Sequence, residues 1–388
     1  MLVYLDNSST TRQYAAVTLK MLRFMEDDFG NPSSLHRMGL SAENALKEAR
    51  GDVAKALGFE PREVFFTSGG TEAANLALLG AASARKRRGN RVITSSVEHP
   101  AVFECCKKLE AEGFTVIYAG VDEKCRLNLD EVRANTDENT ILISIMHVNN
   151  EVGAIMPLDE ICRRKGDNAA VHTDAVQAFG KLPQGKAGAD IVTVSAHKIH
   201  GPKGCGAIAV RKGINLEPRI YGGGQEKDLR SGTENVAAIA GFGEACRIAA
   251  SDLNGRAKKM DAARSYLLAG MKEEIPDIRI NSAEETSLTG EAGFCAPSIL
   301  NVSFLGARGE VILHGLESEG IFVSTGAACS SHKKGKNRVL AAMGLSDKEA
   351  EGAIRFSFNE FNSAEEMDYV LVRLKSLVSR FRKFGGFR

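Results

Sequence analysis

Between about residues 60 and 210 the chain alternates short β-rich runs with helical stretches, and this alternation constrains the fold more than any other feature. The runs are Glu63–Thr67, Arg91–Thr94, Phe114–Tyr118, Thr140–Ile145, Ala169–Thr173, Asp190–Val194 and Gly206–Val210. None alternates strictly between apolar and polar residues, so each suits a strand covered on both faces rather than one with a wet side. The pattern predicts an α/β fold whose large domain is a mainly parallel seven-stranded sheet flanked by helices.

After about residue 255 the texture shifts to a helix-rich stretch followed by strands near Ile299–Phe304 and Ala353–Phe358, which predicts a second, smaller α+β domain. Its last helix is announced by the capping box Ser363-x-x-Glu366 and an apolar stripe from Met367 to Phe381 at helical spacing. The expected boundaries are 13–255 for the large domain, with 1–12 and 256–388 forming the small one. At 388 residues the chain has ample material for both cores.

With 43% hydrophobic and 26% charged residues the composition is that of an ordinary globular protein, and a net charge of +1 gives no case for direct nucleic-acid or membrane binding. No apolar stretch approaches the roughly 20 residues of a membrane helix. Eight cysteines without a C-x-x-C pair, and an opening without a signal-peptide apolar core, lead us to expect a reduced, cytoplasmic protein.

Three motifs fall at strand ends. Thr67-Ser-Gly-Gly-Thr71 runs from a strand into a helix, where free backbone N–H groups and the positive helix end favour a phosphate; a plain glycine turn is the alternative, and no Walker lysine is present. Asp174, in His172-Thr-Asp-Ala-Val-Gln177, lies at the carboxyl end of a strand, where open α/β sheets bind ligands. It is placed either to keep a pyridine nitrogen protonated or to cap the next helix. Lys198, in Ser195-Ala-His-Lys198, is a candidate for a Schiff base with a carbonyl cofactor, although most lysines are simply solvated. A phosphate cradle, a carboxylate and a lysine together are what pyridoxal 5'-phosphate demands.

Cys329 is the fourth feature. Its neighbours are small and polar, no apolar periodicity surrounds it, and Lys333 and Lys334 favour the thiolate, whereas the other seven cysteines read as small buried hydrophobes.

These motifs resemble those of the cysteine desulfurases of the NifS/IscS type, within the class V aminotransferase superfamily and the fold type I group of pyridoxal-phosphate enzymes. The resemblance runs along nearly the whole chain through Tyr4–Asn7, Gly30–His36, Thr67–Glu72, Glu98–Pro100, Met146–Gly153, Asp174–Gln177, Ser195–Lys198, Gly222–Gln225, Arg230–Asn235, Cys329 and Arg355. It implies a homodimer that converts L-cysteine to L-alanine and leaves a persulfide on Cys329. Lys198 would carry the cofactor and move the substrate α-proton, Asp174 would pair with the ring nitrogen, and Gln177 would bind the ring hydroxyl. His99 would stack on the ring and assist proton transfer at the substrate thiol. Gly70, Thr71, Ser195 and His197 would bind the phosphate, with Thr233 reaching in from the other subunit. Asn150 and Arg355 would hold the substrate carboxylate.

The small domain would carry the Cys329 loop and deliver sulfur to an iron-sulfur scaffold or a sulfur carrier for tRNA thiolation. No metal is expected beyond a transient iron-sulfur ligand role for Cys329. His99 before a proline also reads as a plain helix cap. Arg355 in an apolar strand demands a partner, and a bound carboxylate is the expected one. The basic residues Lys333, Lys334, Lys336 and Arg338, and the terminus from Arg380 to Arg388, offer a dock for an acidic partner or are merely a solvated loop and a frayed end.

The chain departs from the family pattern at Ser8 and Ser9, at Arg12, at Ala327, and at Asn359, where left-handed backbone tolerated by asparagine is expected. A selenocysteine lyase or another class V pyridoxal-phosphate aminotransferase, and a non-catalytic sulfur-trafficking protein of the same fold, remain as rivals.

Overall fold

The computed structural model describes residues 1–183, 188–325 and 337–384. A short strand β1 (Val3–Tyr4) precedes helices α1 (Ala15–Glu26) and α2 (Arg37–Leu57). The central sheet follows, built from β2 (Val64–Thr67), β3 (Arg91–Ser95), β4 (Thr115–Ala119), β5 (Thr140–Ser144), β6 (Ala170–Asp174), β7 (Ile191–Ser195) and β8 (Gly206–Val210). Its spatial order is β2-β8-β7-β6-β5-β3-β4, and only the pairings of β8 with β2 and β7 are antiparallel.

Every residue of β5, β6, β7 and β8 is buried, which is why their sequences run apolar without alternation. Helices α3 (Gly70–Arg85) and α4 (Pro100–Ala111) close one face over a core that includes Leu78, Val92, Leu142 and Ile208. The opposite face packs Phe66, Ile143, Val171 and Val194 with α2, the short α5 (Leu129–Asn135) and α6 (Leu158–Arg163), and α7 (Val236–Ser251).

A second hydrophobic core unites α8 (Leu253–Glu274), β9 (Ile278–Ile280), β10 (Ile299–Phe304), α9 (Gly309–Ser318), β11 (Ile321–Phe322), β12 (Ala353–Ser357) and α12 (Ala364–Phe384) with Val3 and Leu5 from the amino terminus. Strand β1 pairs in parallel with β11, and β12-β10-β9 form an antiparallel sheet. The capping box of α12 is present, Glu366 N donating to Ser363 Oγ at 3.2 Å and Ser363 N to Glu366 Oε2 at 3.1 Å. Its stripe, from Met367 to Val378, is buried in this core. Short helices α10 (Arg338–Ala342) and α11 (Asp347–Glu351) return the chain to the first core, where Leu340 and Met343 are buried. Among the described residues no helix is long and apolar enough to cross a membrane.

Two expectations need correction. The carboxy-terminal helix is not frayed at Arg382, which donates to the carbonyls of Leu305, Pro276 and Asp277 at 2.8–2.9 Å and staples the helix to the second core. Asn359 does not take up left-handed backbone. Its side chain builds the turn instead, accepting from Phe361 N at 2.8 Å and donating to Asn7 Oδ1 at 2.9 Å, while its own N–H donates to Asn362 Oδ1.

Candidate active site

The site gathers at the carboxyl ends of β2, β6 and β7 and the turn after β3, where the parallel strands leave loops rather than helices at the surface of the sheet. Thr67 ends β2 and Gly70 opens α3, so the first-turn N–H groups of that helix lack partners within it. A Cβ on Gly206 would lie 2.8 Å from the Gly69 backbone, and one on Gly70 would lie 3.0 Å from Val176 Cγ2 and 3.6 Å from Ser195 Cβ. The two glycines therefore let the helix start press directly against β8, the turn after Asp174 and the end of β7. Thr71 is exposed in the same first turn, and Glu72 below it is held by Arg230 at 2.9 Å.

Asp174 is buried at the end of β6, with Oδ1 accepting the Val176 N–H at 3.0 Å. The described residues that follow form a turn rather than a helix, so this is a turn contact and not the helix cap offered as the alternative. His99 caps α4 through Nδ1, which accepts the Ala101 N–H at 3.2 Å and so marks the ring as a neutral acceptor on that side. Burial pushes the Asp174 carboxyl up and the His99 imidazole down, and attraction between their charged forms holds both shifts back. The pair is thus electrostatically linked across the turn after β3 and the end of β6.

Lys198 follows β7 on a short 3-10 turn, its Nζ donating to Ser8 O at 2.5 Å and Ser9 O at 2.8 Å. The amino-terminal segment lies along this turn: Thr11 donates twice to His197 O, and His197 Nδ1 lies 3.1 Å from Thr10 Oγ1. Burial and the nearby Lys198, Lys203 and Lys181 pull the His197 imidazole down to about 4, so it is neutral at physiological pH. Gln177 is buried with Nε2 donating to Ser8 O at 2.9 Å.

Arg355, 4% exposed in β12, is partnered within the chain. Its guanidinium donates to Asp6 Oδ1 and Ser9 Oγ, both at 2.8 Å, and to the backbone carbonyl of Asn150 at 2.9 Å. The carboxylate that the sequence led us to expect from a ligand is supplied here by Asp6, while Arg355 Nε is buried with no partner.

Cys329 lies outside the described residues, but both roots of its segment are anchored beside the site. On one side Ser324 pairs with the Arg355 backbone through hydrogen bonds of 2.6 and 3.1 Å. On the other, Asn337 caps α10 and donates to Glu151 Oε2 at 2.6 Å, and Arg338 donates to the carbonyls of Ser96 and Glu98 with its guanidinium over the Phe103 ring. Arg338 is therefore an anchor and not part of a free basic dock. Ala327, Lys333, Lys334 and Lys336 also lie outside the described residues. Thr233 is exposed on the loop before α7.

Three contributors escaped the sequence reading. Asp6 meets Arg355, and the carbonyls of Ser8 and Ser9 meet Lys198, across 189 to 349 residues of chain, pairings that no local pattern reveals. Glu98, inside a quoted motif, is fully enclosed, accepts Ser95 Oγ at 2.6 Å and Met146 N at 2.9 Å, and leaves Oε2 without a partner. Lys181, buried, donates to Gln177 Oε1 at 3.0 Å. Their only sequence signals were the Ser95-x-x-Glu98 spacing at a strand end and a lysine one helical turn after Gln177.

A helix-start anion cradle, a buried carboxylate at a strand end and a tethered lysine on one doubly wound sheet define a class of protein, and comparison gives it its family. The chain belongs to the class-V aminotransferases, whose family pattern matches residues 3–370. It is 39% identical over 389 residues to a Dictyoglomus turgidum protein named cysteine desulfurase IscS, covering 100% of this chain and 97% of that one. A Pectobacterium carotovorum protein of the same name is 41% identical over 390 residues, covering 98% and 93%. Among solved structures, a NifS-like protein superposes with a TM-score of 0.90 at 40% identity, covering 98% of this chain and 100% of that one. A complex of SspA with cysteine gives 0.80 at 32% identity, covering 93% and 100%.

Proposed function

We propose that this chain is a pyridoxal-phosphate-dependent cysteine desulfurase, which transfers the sulfur of L-cysteine to Cys329 and releases L-alanine. The observation that carries the reading is the convergence of Lys198, Asp174, His99 and Arg355, with both roots of the Cys329 segment, on one end of the sheet.

The residues present fit the cofactor. Gly70 leaves a cradle that a Cβ would crowd, the α3 start offers unpaired N–H groups, and the buried Asp174 carboxylate has a cationic task waiting for it. When bound, pyridoxal phosphate supplies an aldehyde for amines and a ring that accepts the electron pair released at the substrate α-carbon.

Lys198 would hold the aldehyde of the bound group and would carry the substrate α-proton. Asp174 would hold a proton on the ring nitrogen, and Gln177 would donate to the ring oxygen. Gly70, Thr71, Ser195 and His197 would grip the phosphate, the last through a neutral ring that can donate without adding charge. His99, held by its Nδ1, would assist proton transfer at the substrate thiol through its free nitrogen Nε2. Arg355 and Asn150 orient the substrate carboxylate, Arg355 exchanging or sharing its Asp6 contact. The Cys329 thiolate attacks the substrate sulfur: an S–S bond forms, the Cβ–S bond breaks, its electron pair stays with carbon, and carbon takes a proton to leave as alanine.

The enzyme works as a homodimer in this reading, with Thr233 of the partner subunit completing the phosphate site. Support comes from the exposed apolar side chains Leu19, Leu22 and Met25 on α1, with Phe29, Leu35 and Leu40 beyond it. The persulfide goes to an acceptor protein, an iron-sulfur scaffold or a sulfur carrier serving tRNA thiolation, in the cytoplasm. Borohydride reduction of the cofactor-loaded protein followed by peptide mapping tests the assignment of the lysine. A pyridoxyl mass on Lys198 is the expected result, and the label on any other lysine overturns it.

A further inference from the structure

The strongest unexplained group beside the site is Lys181. It lies one helical turn beyond Gln177 and is 4% exposed. An ammonium is rarely taken out of water without a carboxylate partner, because losing its hydration is costly. Here its hydrogen bond goes to an amide, Gln177 Oε1, at 3.0 Å. Among the described residues the charged groups that face it are Lys198, Arg355 and Arg256, all of its own sign, and Glu360, whose Oε1 is occupied by Arg256 at 2.9 Å and by Tyr14. Burial and these cations bring its pKa down to about 7. A structural filler at this position would be served by methionine or leucine at far lower cost.

What the lysine provides is polarity of orientation. A glutamine amide presents a donor on one side and an acceptor on the other, and nothing in its shape chooses between them. In the ammonium form that it holds below its pKa of about 7, the lysine has donors only, so it donates to nothing but the carbonyl side. With Oε1 held by Lys181, Nε2 must face the other way, and there it donates to Ser8 O, the same carbonyl that receives Lys198 Nζ. Two nitrogen donors from different elements thus converge on one acceptor beside the Schiff-base lysine.

We propose that Lys181 is a positioning residue: it locks the Gln177 amide with its N–H₂ side toward the Lys198 cradle, so that the cofactor ring oxygen meets a donor and never a carbonyl. The inference deepens the desulfurase reading and rests on it for the identity of the ring oxygen, but the lock itself belongs to the chain. A donor at that oxygen favours its anionic form, and hence the deprotonated Lys198 Schiff base; a carbonyl there opposes both.

The lock is testable without cofactor. The chain has four glutamines, Gln13, Gln177, Gln184 and Gln225, so selective side-chain ¹⁵N labelling yields a spectrum simple enough to assign with Gln177→Leu. In the cofactor-free protein we expect Lys181→Met to move the Gln177 N–H₂ pair and to speed its exchange with solvent. An unchanged pair overturns the proposal, whatever the enzyme does. In the loaded protein without substrate, Lys181→Met is expected to raise the pH midpoint of the Schiff-base absorption band by about half a unit or more. In a Gln177→Leu background that shift should vanish, with Lys181→Arg restoring most of the midpoint in the parent. An equal shift in both backgrounds would mean that the lysine acts by charge alone, which sinks the positioning role. A parent protein without any Schiff-base band would defeat the desulfurase reading while leaving the cofactor-free experiment to judge the lock.

Discussion

Replacing Arg355 by methionine tests how the carboxylate-binding group is held before substrate arrives. The side chain is almost wholly buried and makes two hydrogen bonds through Nη2, to Asp6 and Ser9, and one through Nη1, to the Asn150 carbonyl. Truncating one partner of a buried pair costs about 3–5 kcal/mol because the other charge is stranded. Asp6 keeps 21% of its side-chain surface in water and retains the Ser9 hydroxyl at 2.8 Å, so the cost should fall toward about 2–4 kcal/mol. Asp6→Asn alone removes charge but leaves an acceptor, and should cost about 1 kcal/mol. The double variant should lose less than the sum of the two, with a coupling of about 1–2 kcal/mol. The assay is urea unfolding of the cofactor-free protein followed by two probes, so that coincident transitions license the free energies. Strict additivity would refute the claim that Asp6 pre-orders Arg355, as would a loss below about 0.5 kcal/mol for Arg355→Met.

Other consequences follow from buried titrating groups and from the nucleophile. Burial pushes the Glu98 carboxyl up to about 8 from an ordinary 4.5, so the folded state holds a proton that the unfolded state releases, and stability falls as pH rises between those values. Glu98→Gln carries no such proton, and its stability relative to the parent should climb across that window and level off above about pH 8; a pH-independent difference in urea titrations would contradict this. Asp174→Asn removes the charge that props up the His99 imidazole, so the His99 pKa should drop further below its usual value, read from its ring proton shifts in the cofactor-free protein. A rise would mean that the two groups are not coupled as described. Cys329→Ser should keep the cofactor colour and lose persulfide formation, checked by absorption and by mass analysis; normal turnover would transfer the reading to a cysteine-independent lyase.

The sheet was legible because its strands are buried on both faces and their apolar runs are local signals; all seven were placed within a residue or so. Lys198, Asp174 and the Gly70 turn were legible for a related reason, since strand ends announce where side chains of an α/β sheet converge. Arg355 was legible as a charge that needed a partner, but the partner was not, because Asp6 is brought to it by the pairing of chain termini rather than by any spacing. Lys181 left only a faint signal, its spacing from Gln177: a lysine shortly before a proline reads as solvated, and packing reveals that it is enclosed. Asn359 shows the opposite error, a backbone explanation given where side-chain hydrogen bonds build the turn.

The most direct test of the central claim is a single-turnover mixture of the purified, pyridoxal-phosphate-loaded protein with L-cysteine and no reductant. Alanine and the mass of the Cys329 peptide are measured in the same sample. The account predicts alanine and a one-sulfur increment on Cys329 in equal amounts, accompanied by a change in the Schiff-base band. Alanine without sulfur on Cys329, or an unchanged band with no alanine, would contradict it.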